Sequence, residues 1–502
     1  MVQSITTKVD GTTAERDRVE QEVEAALNWL RPQLMKLARS VQAGSLTPGL
    51  FFQIEVQLVV CLRAFGRLLL ERLLNAREGE GRLLPHDLIY EGQGYRRLGK
   101  KTRNAHVATL FGTIELWRFG YRFWEPFVRE SCIFPLELQL GLLEGATPAL
   151  VDYIGRRMAE AGATQSRVLQ LLREEHGVAM GVKRLRKLVS RLSEGLSEHR
   201  QAAQVEELLT ALQAADTSCG NRKPVLAVGR DGITLCEYQY RFFEVATTAT
   251  VTVFDRAGKR LRTIYLACHP ELGQSTMSQM LTGVLTDVLA HWQGPLPTLA
   301  YVADSGGNES SYFDDTLRRM RHPRTGEQLE WQRVVDFYHA AERVWAMAAA
   351  LFGKGTQRYF AWARRMLRLL KRKPRGPYRV LHSAAALRAR RKMGKSRLEN
   401  FRKAYNYILR RTKWMRYYEY RKRHIPLGSG ITEAACKTVF TQRLKLSGMR
   451  WKKAGAQQIL TLRTILLSNT WTATYAMALS TRDACLPAPY IVGHSKKQRK
   501  AA

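Results

Sequence analysis

The chain has 502 residues, enough for roughly two to four domains, and its 45% hydrophobic content is ordinary for buried cores. Its 80 Lys and Arg against 44 Asp and Glu give a net charge of +36. Such an excess repels itself in a compact state unless a polyanion neutralises it, so nucleic acid is the first partner to consider and a membrane surface the second. Seven scattered cysteines with no C-x-x-C pair exclude a disulfide framework and a zinc finger, and the polar N-terminus MVQSITTKVDGTTAERD has no signal-peptide core.

A helical apolar pattern (Val19, Val23, Ala26, Leu27, Leu30) runs from Thr13 to Ala43, with Thr12 and Glu15 spaced as a capping box. A second helix is predicted over Leu50 to Ala76. Glu55, Arg63, Arg67, Glu71 and Arg72 interrupt it before it reaches the about 18 uncharged residues of a membrane span, so a soluble, cytoplasmic chain with no membrane partner is expected. Polar and glycine-rich residues from Glu78 to Lys101 read as a break. Alternation at Val107, Thr109 and Phe111, then at Ile114, Leu116, Phe119, Tyr121 and Phe123 beyond Gly112, reads as a β-hairpin or small sheet. Helices resume at Thr147-Pro148.

From Thr164 to Leu192 a helix ends at Gly177 and a basic helix follows, carrying Lys183, Arg184, Arg186, Lys187 and Arg191. Helix, glycine turn and basic helix outline a helix-turn-helix whose second helix suits a major groove, though a plain helical hairpin fits the pattern too.

At Pro224 the period changes. VLAVGRDG, EVATTATVTVFD and KRLRTIYLACHP read as three successive strands, followed by a helix over Ser275 to Trp292, a strand over Pro297 to Ala303, a helix over Glu309 to Met320 and a strand over Arg333 to Val335. That is the element order of an RNase H-like core. Helices are then predicted over Ala340 to Phe352, Gln357 to Lys373, Ser383 to Lys392 and Ser396 to Arg423. Between Leu351 and Ile425 stand 25 Lys or Arg against two acids, interleaved with tyrosines and tryptophans that suit unstacked bases when they are not helical core. A helix over Ala454 to Leu467 follows, and the polar residues from Thr481 onward read as a disordered tail.

Metal-assisted phosphodiester chemistry calls for carboxylates that hold two hard divalent ions about 3.5 to 4 Å apart. Asp231 is expected to end the first core strand and Asp304 the fourth, on adjacent central strands. Glu433 opens a helix after Gly428-Ser429-Gly430, and Lys437, Arg443 and Lys445 follow it as a cationic face. Taken singly, Asp231 and Asp304 also fit ordinary turns, and Glu433 a helix-dipole partner. Glu342, 38 residues beyond Asp304, competes for the third-acid position. Asp336 and His339 form a D-x-x-H element that fits either a helix cap or a place at the site.

The segments VGRDG at Asp231, VADSG at Asp304, DFYH at Asp336 to His339, and GSGITEAACK with GMRW from Glu433 to Trp451 resemble the DDE transposases of bacterial insertion sequences, above all the Mutator-like superfamily and its relatives. Resemblance covers Pro224 to Trp471, and more weakly the FGTIEL and PLELQLGL segments; the N-terminal cysteine motif of some relatives is missing. It implies an α/β fold in which an RNase H-like catalytic core is split by an all-helical insertion and preceded by a mostly α-helical DNA-binding and dimerisation region with a small β segment. The corresponding regions are 1–105 (helical), 106–146 (β segment and linker), 147–215 (helix-turn-helix-like), 224–339 and 426–471 (the two parts of the core), 340–425 (basic insertion) and 472–502 (tail). It further implies that Asp231, Asp304 and Glu433 bind two Mg²⁺ ions, with Mn²⁺ as a substitute, to cut and join DNA, and that Asp336 and His339 lie near them. Double-stranded DNA, as element ends and target, would contact Lys183, Arg184, Arg186, Lys187, Lys437, Arg443, Lys445, Arg450 and Trp451. The active form would be a homo-oligomer, expected to be a dimer, working at the bacterial nucleoid. A nuclease without strand transfer and a non-catalytic DNA-binding protein are the alternatives.

Overall fold

The computed structural model describes residues 13–43, 45–78, 84–123, 132–236, 243–304 and 306–485. Thr12 of the expected capping box and residues 486–502 of the expected tail lie outside the described residues. The fold is mixed α/β, and the chain divides into two compact units: residues 1–158, 164–192 and 477–502 form one, and residues 159–163 and 193–476 the other.

In the first unit, α1 (Thr13–Gln42) and α2 (Pro48–Arg77) pack together, with Arg72 Nη1 2.8 Å from Glu22 Oε2. The Thr47 hydroxyl accepts the Leu50 N–H and Pro48 opens α2, a standard helix start. Among the described residues, α2 is the one helix whose length and composition would allow it to cross a membrane, and 6% of its apolar window is buried. Next come β1 (Asp87–Tyr90), β2 (Gln93–Thr109) and β3 (Gly112–Phe123), an antiparallel sheet in that order. The expected break from Glu78 to Lys101 therefore contains β1 and the first half of β2. Its alternation is disguised by cations: Arg97 and Lys101 lie over the Phe119 ring at 5.4 and 5.7 Å, so their aliphatic stems do the packing that apolar residues would do. Helices α3 (Pro135–Gln139), α4 (Pro148–Ala159) and α5 (Gln165–His176) follow. Thr164 caps α5, and Gly177 ends it in the left-handed region at φ 65°. The basic helix α6 (Val182–Asp216) then runs for 35 residues, far longer than a compact recognition helix needs, and its residues from 193 onward belong to the second unit.

The second unit is built on β4 (Val225–Cys236), β5 (Phe243–Phe254), β6 (Arg260–Cys268), α7 (Ser275–His291), β7 (Thr298–Ala303), α8 (Gly307–Asp315) and β8 (Gln332–Val335). Strand order is β6-β5-β4-β7-β8; β4 is antiparallel to β5 and parallel to β7, and β8 is parallel to β7. Period-two alternation divides the sheet between two cores. Leu226, Val228, Leu299 and Tyr301 join Leu208 and Leu212 of α6 and Leu281 and Leu285 of α7 on one face. Val225, Ala227, Ala300 and Val302 join the helices after β8 on the other.

Those helices are α9 (Phe337–Phe352), α10 (Gln357–Arg372), α11 (Gly376–Ala389), α12 (Lys395–Arg411) and α13 (Tyr417–Lys422). The single helix expected over Ser396 to Arg423 is broken at a 3₁₀ turn, Thr412–Trp414. Aromatic anchoring explains the bend: Arg333 of β8 lies 3.9 Å from the Trp414 ring centre, while the Tyr417 and Tyr420 hydroxyls donate to the Val335 and Arg333 carbonyls. Trp362, Phe401, Tyr417 and Tyr420 are buried, so much of the aromatic content expected to face bases is core, although Tyr378 is 58% exposed. The chain closes with α14 (Gly430–Ala435), a π-helical turn Cys436–Thr441, α15 (Gln442–Leu444), α16 (Lys453–Leu467) and α17 (Trp471–Cys485). Much of the expected tail from 472 onward is thus α17, held by the buried Trp471.

Candidate active site

Parallel register carries two aspartates to neighbouring positions. Gly229 pairs with Val302 across β4 and β7, and Asp231 and Asp304 each lie two residues further on. Two residues preserve the face, so both carboxylates share the side of Val225, Ala227, Ala300 and Val302, beyond the last paired residues of the parallel strands. Asp231, expected at a strand end, lies inside β4, which continues to Cys236 by antiparallel pairing with β5; Asp231 itself pairs with Thr248. The β4 strand outlasts its parallel partner because an antiparallel neighbour supplies the remaining ladder bonds.

Glu433 comes from α14, which lies directly on this face. A Cβ on Gly229 would stand 1.9 Å from Thr432 Oγ1, and the Thr432 and Thr250 hydroxyls are 2.7 Å apart, so the missing side chain at Gly229 is what lets the helix reach the strand. One turn after Glu433, the Cys436 thiol donates to Asp231 Oδ2 at 3.4 Å. Burial, with Asp231 and Glu433 adding to it, pushes the Cys436 thiol far up and keeps it neutral. Immediately beyond, the helix widens into a π turn, an irregularity frequent at functional sites.

Asp336 acts as a clamp. It is fully buried; Oδ1 accepts the Tyr338 and His339 N–H groups that open α9, and Oδ2 accepts the N–H and hydroxyl of Ser429. With four donors its lone pairs are taken, which marks it as a cap and loop anchor rather than a free ligand. Ser429 Oγ is also 2.9 Å from Glu433 Oε1, so the clamp extends to the third acid. The His339 ring stands between the two rivals for that position, with Nδ1 3.4 Å from Glu342 Oε2 and Nε2 3.6 Å from Glu433 Oε1. Only the Glu433 helix also carries a residue touching Asp231.

A further acid, absent from the sequence expectations, belongs here. Glu309 opens α8 and is 9% exposed. A Cβ on Gly306 would be 2.3 Å from Glu309 Oε2 and 3.4 Å from Asp304 Oδ1, so the two oxygens lie within the sum of those distances. Burial holds the Glu309 carboxyl above its ordinary range; Asp304 and Asp231 add to the rise, and its own N–H and Arg230 oppose it. Five residues after Asp304, in a polar GNESS stretch, Glu309 has no pattern of its own; only the helical turn folding back over Gly306 reveals it. From the insertion, the Tyr407 hydroxyl donates to the Asp304 carbonyl at 3.0 Å, and Arg343 and Arg411 flank its ring at 5.0 and 4.1 Å.

The donor set is chemically right for a hard divalent ion, because Asp231, Asp304, Glu433 and Glu309 offer only carboxylate oxygens. Among the described residues, however, no three such side chains converge closely enough to hold a metal. Asp231 Oδ1 accepts the Gly232 N–H, Asp304 Oδ1 the Gly306 N–H, and Glu433 turns to Ser429 and His339. Uncompensated carboxylates repel, and each has taken a local donor instead.

The basic residues divide. Lys437, Lys445 and Arg450 are exposed. Arg443, expected to face DNA, is 1% exposed; burial and the neighbouring Arg463 lower its guanidinium to about 10, and it lies 5.4 Å from the Trp451 ring. Arg443 lies four and seven residues after the buried Val439 and Cys436, on the inward side of the helix. Trp451 is half-buried, and its Nε1–H donates to the Leu444 carbonyl. On α6, Lys183 is exposed, but Arg184 donates to the Glu144 and His106 carbonyls, Arg186 to the Gln165 side chain, and Lys187 and Arg191 pair with Glu144. Three of the four expected recognition residues therefore already make intramolecular bonds.

No protein-family model matches the chain, and no curated protein matches it.

Proposed function

We propose that the chain is a DNA transposase of an insertion sequence, a DDE enzyme that binds terminal inverted repeats, cuts DNA at the element ends and joins the new ends to target DNA. The observation that carries this reading is the pair Asp231 and Asp304, each two residues beyond the last parallel pair of β4 and β7, with the Glu433 helix packed on the same strand at Gly229. Strand order β6-β5-β4-β7-β8, with all-helical α9 to α13 inserted before Glu433, is what an RNase H-like core split by an insertion calls for.

Asp231, Asp304 and Glu433 would hold the divalent ions, with Glu309 beside Asp304. Bound there, Mg²⁺ or Mn²⁺ would activate the attacking oxygen and stabilise the leaving oxygen. The residues of the chain do the rest: Ser429 and His339 orient Glu433, Asp336 fixes Ser429, and Tyr407 ties the basic insertion to the Asp304 backbone so that duplex DNA is held over the carboxylates. Exposed Lys437, Lys445 and Arg450 continue a cationic track for the backbone. A second copy is the expected partner, because α2 exposes Phe51, Phe52, Val56, Val59 and Val60 together.

Nicking of supercoiled DNA in Mg²⁺ or Mn²⁺, compared between wild type and Asp304→Asn, tests the enzyme reading: metal-dependent nicking lost in the variant supports it. Equal nicking by both, or none by either with cognate ends supplied, favours the non-catalytic DNA-binding reading, which the local hydrogen bonds already taken by the carboxylates also suit. Nicking without joining would leave the nuclease.

A further inference from the structure

The insertion contains a cavity of about 270 Å³ between the α10–α11 connection and the start of α13. Lys373, Arg375, Lys413 and Arg416 line it, with Tyr378 and Tyr418 on its walls and Glu419 as its one acid. None of the four cations forms an ion pair among the described residues, Lys413 Nζ lying instead 4.4 Å from the Trp414 ring centre, so the single acid Glu419 stands against four cations around the cavity. Four like charges around one concave site raise each other's energy, and an occupant carrying negative charge relieves all of them together.

The loop that presents them is fixed in an unusual shape. Arg375 is a non-glycine residue in the left-handed region (φ 52°, ψ 33°), directly before the first residue of α11. Arg379 holds the loop by donating its backbone N–H to the Arg375 carbonyl and its side-chain Nε–H to the Pro374 carbonyl. A bulky side chain held at positive φ is a costly arrangement, most often kept where a side chain must be aimed. Tyr378 exposes more than half of its surface beside these charges, although most aromatics of the insertion are drawn into its core.

The cavity also lies close to the candidate active site. Tyr417, another wall residue, donates its hydroxyl to the Val335 carbonyl, immediately before Asp336, whose carboxylate holds Ser429 and through it Glu433.

We infer that this cavity binds one nucleotide of an unpaired DNA strand, its phosphate among Lys373, Arg375, Lys413 and Arg416 and its base against Tyr378 and Tyr418. A volume of this size takes a single base with its phosphate and is too small for a base pair. Charge fixes the phosphate, and the tyrosine faces accept any base, so the site selects strand state rather than sequence. The inference rests on the DNA reading above and adds that the substrate at this end of the molecule is locally single-stranded.

Equilibrium binding of the full chain to a blunt duplex and to the same duplex with a four-nucleotide single-stranded overhang tests it. Wild type binds the overhang probe about tenfold more tightly, in line with one stacked base and one phosphate. Arg375→Gln with Arg416→Gln, and separately Tyr378→Ala, remove that preference, the overhang probe losing far more affinity than the blunt duplex, with thermal unfolding near wild type; Arg375→Lys keeps most of it. No overhang preference in wild type, or a preference unchanged in both variants, overturns the inference. Asp304→Asn separates the two claims. An overhang preference kept in this variant while its nicking is lost supports both readings, whereas an overhang preference in a wild type that never nicks cognate ends in Mg²⁺ or Mn²⁺ sinks the transposase reading and leaves the nucleotide pocket standing.

Discussion

Ser429 has one hydroxyl proton and two carboxylate neighbours, Asp336 Oδ2 at 2.7 Å and Glu433 Oε1 at 2.9 Å. Asp336 keeps three backbone N–H donors of its own, so the hydroxyl proton, shared between the two carboxylates, also steadies Glu433. Ser429→Ala is expected to lower metal-dependent cleavage by roughly 10- to 100-fold, the worth of a hydrogen bond to a charged group, with DNA affinity unchanged and Ser429→Thr recovering part of the loss. Equal cleavage by Ser429→Ala and wild type would reduce the contact to packing. Glu309 gives a second residue-scale prediction. Its carboxyl is held above the ordinary glutamate range, so its neutral form is favoured in the fold: stability is complete below the ordinary range and falls as pH rises through the raised one. In chelator, Glu309→Gln should therefore melt at a higher temperature than wild type at pH 7.5, and the difference should vanish near pH 4. A variant that melts lower at pH 7.5 would mean that the charge of Glu309 is stabilised by its surroundings.

At the scale of elements, the contact of α14 with β4 decides whether a third acid arrives at all. Gly229→Val puts side-chain atoms where Thr432 stands, and overpacking of this kind typically costs about 1–3 kcal/mol. The expected result is a chain that still folds, with a modest fall in melting temperature, but with cleavage lost because α14 is displaced; full activity would show that α14 need not touch the strand. Here too the sequence was informative to different depths. Strands β4 to β8 and the start of α14 follow from period-two apolar runs and from the GSG break, which are local signals. The β1–β2 strands were hidden because Arg97 and Lys101 pack as if apolar, and the break in the helix at Thr412–Trp414 because its cause, Arg333 under Trp414, lies some 80 residues away in sequence. Asp231 and Asp304 were legible from strand placement, whereas Glu309 and Ser429 became visible only through the turns that fold them back toward those acids. Arg443 failed as a surface cation because it falls four and seven residues after the buried Val439 and Cys436, on the apolar side of the helix, a placement the helical period itself carries.

The charge of the whole molecule sits unevenly: 25 of its 80 Lys and Arg fall between residues 351 and 425, against two acids. DNA binding should accordingly weaken steeply with salt, with log K falling against log salt at a slope whose magnitude is at least about 6, as expected when many phosphates are neutralised. A slope near 1 would leave the insertion without a nucleic-acid role. The exposed apolar residues of α2 make oligomerisation the second property at this scale: light scattering of the detergent-free protein should give a dimer or larger species, and Phe52→Glu with Val59→Glu should shift it toward monomer. Recovery of the wild type only in membranes would assign α2 to lipid instead. Beneath all of this is the claim that distant acids share one divalent-ion centre. The most direct test is Mn²⁺ binding to the purified chain, followed by electron paramagnetic resonance: Asp231→Asn, Asp304→Asn and Glu433→Gln should each abolish tight binding, while Glu342→Gln retains it. Mn²⁺ binding that survives all three substitutions, or that is lost with Glu342→Gln and kept with Glu433→Gln, would contradict the account.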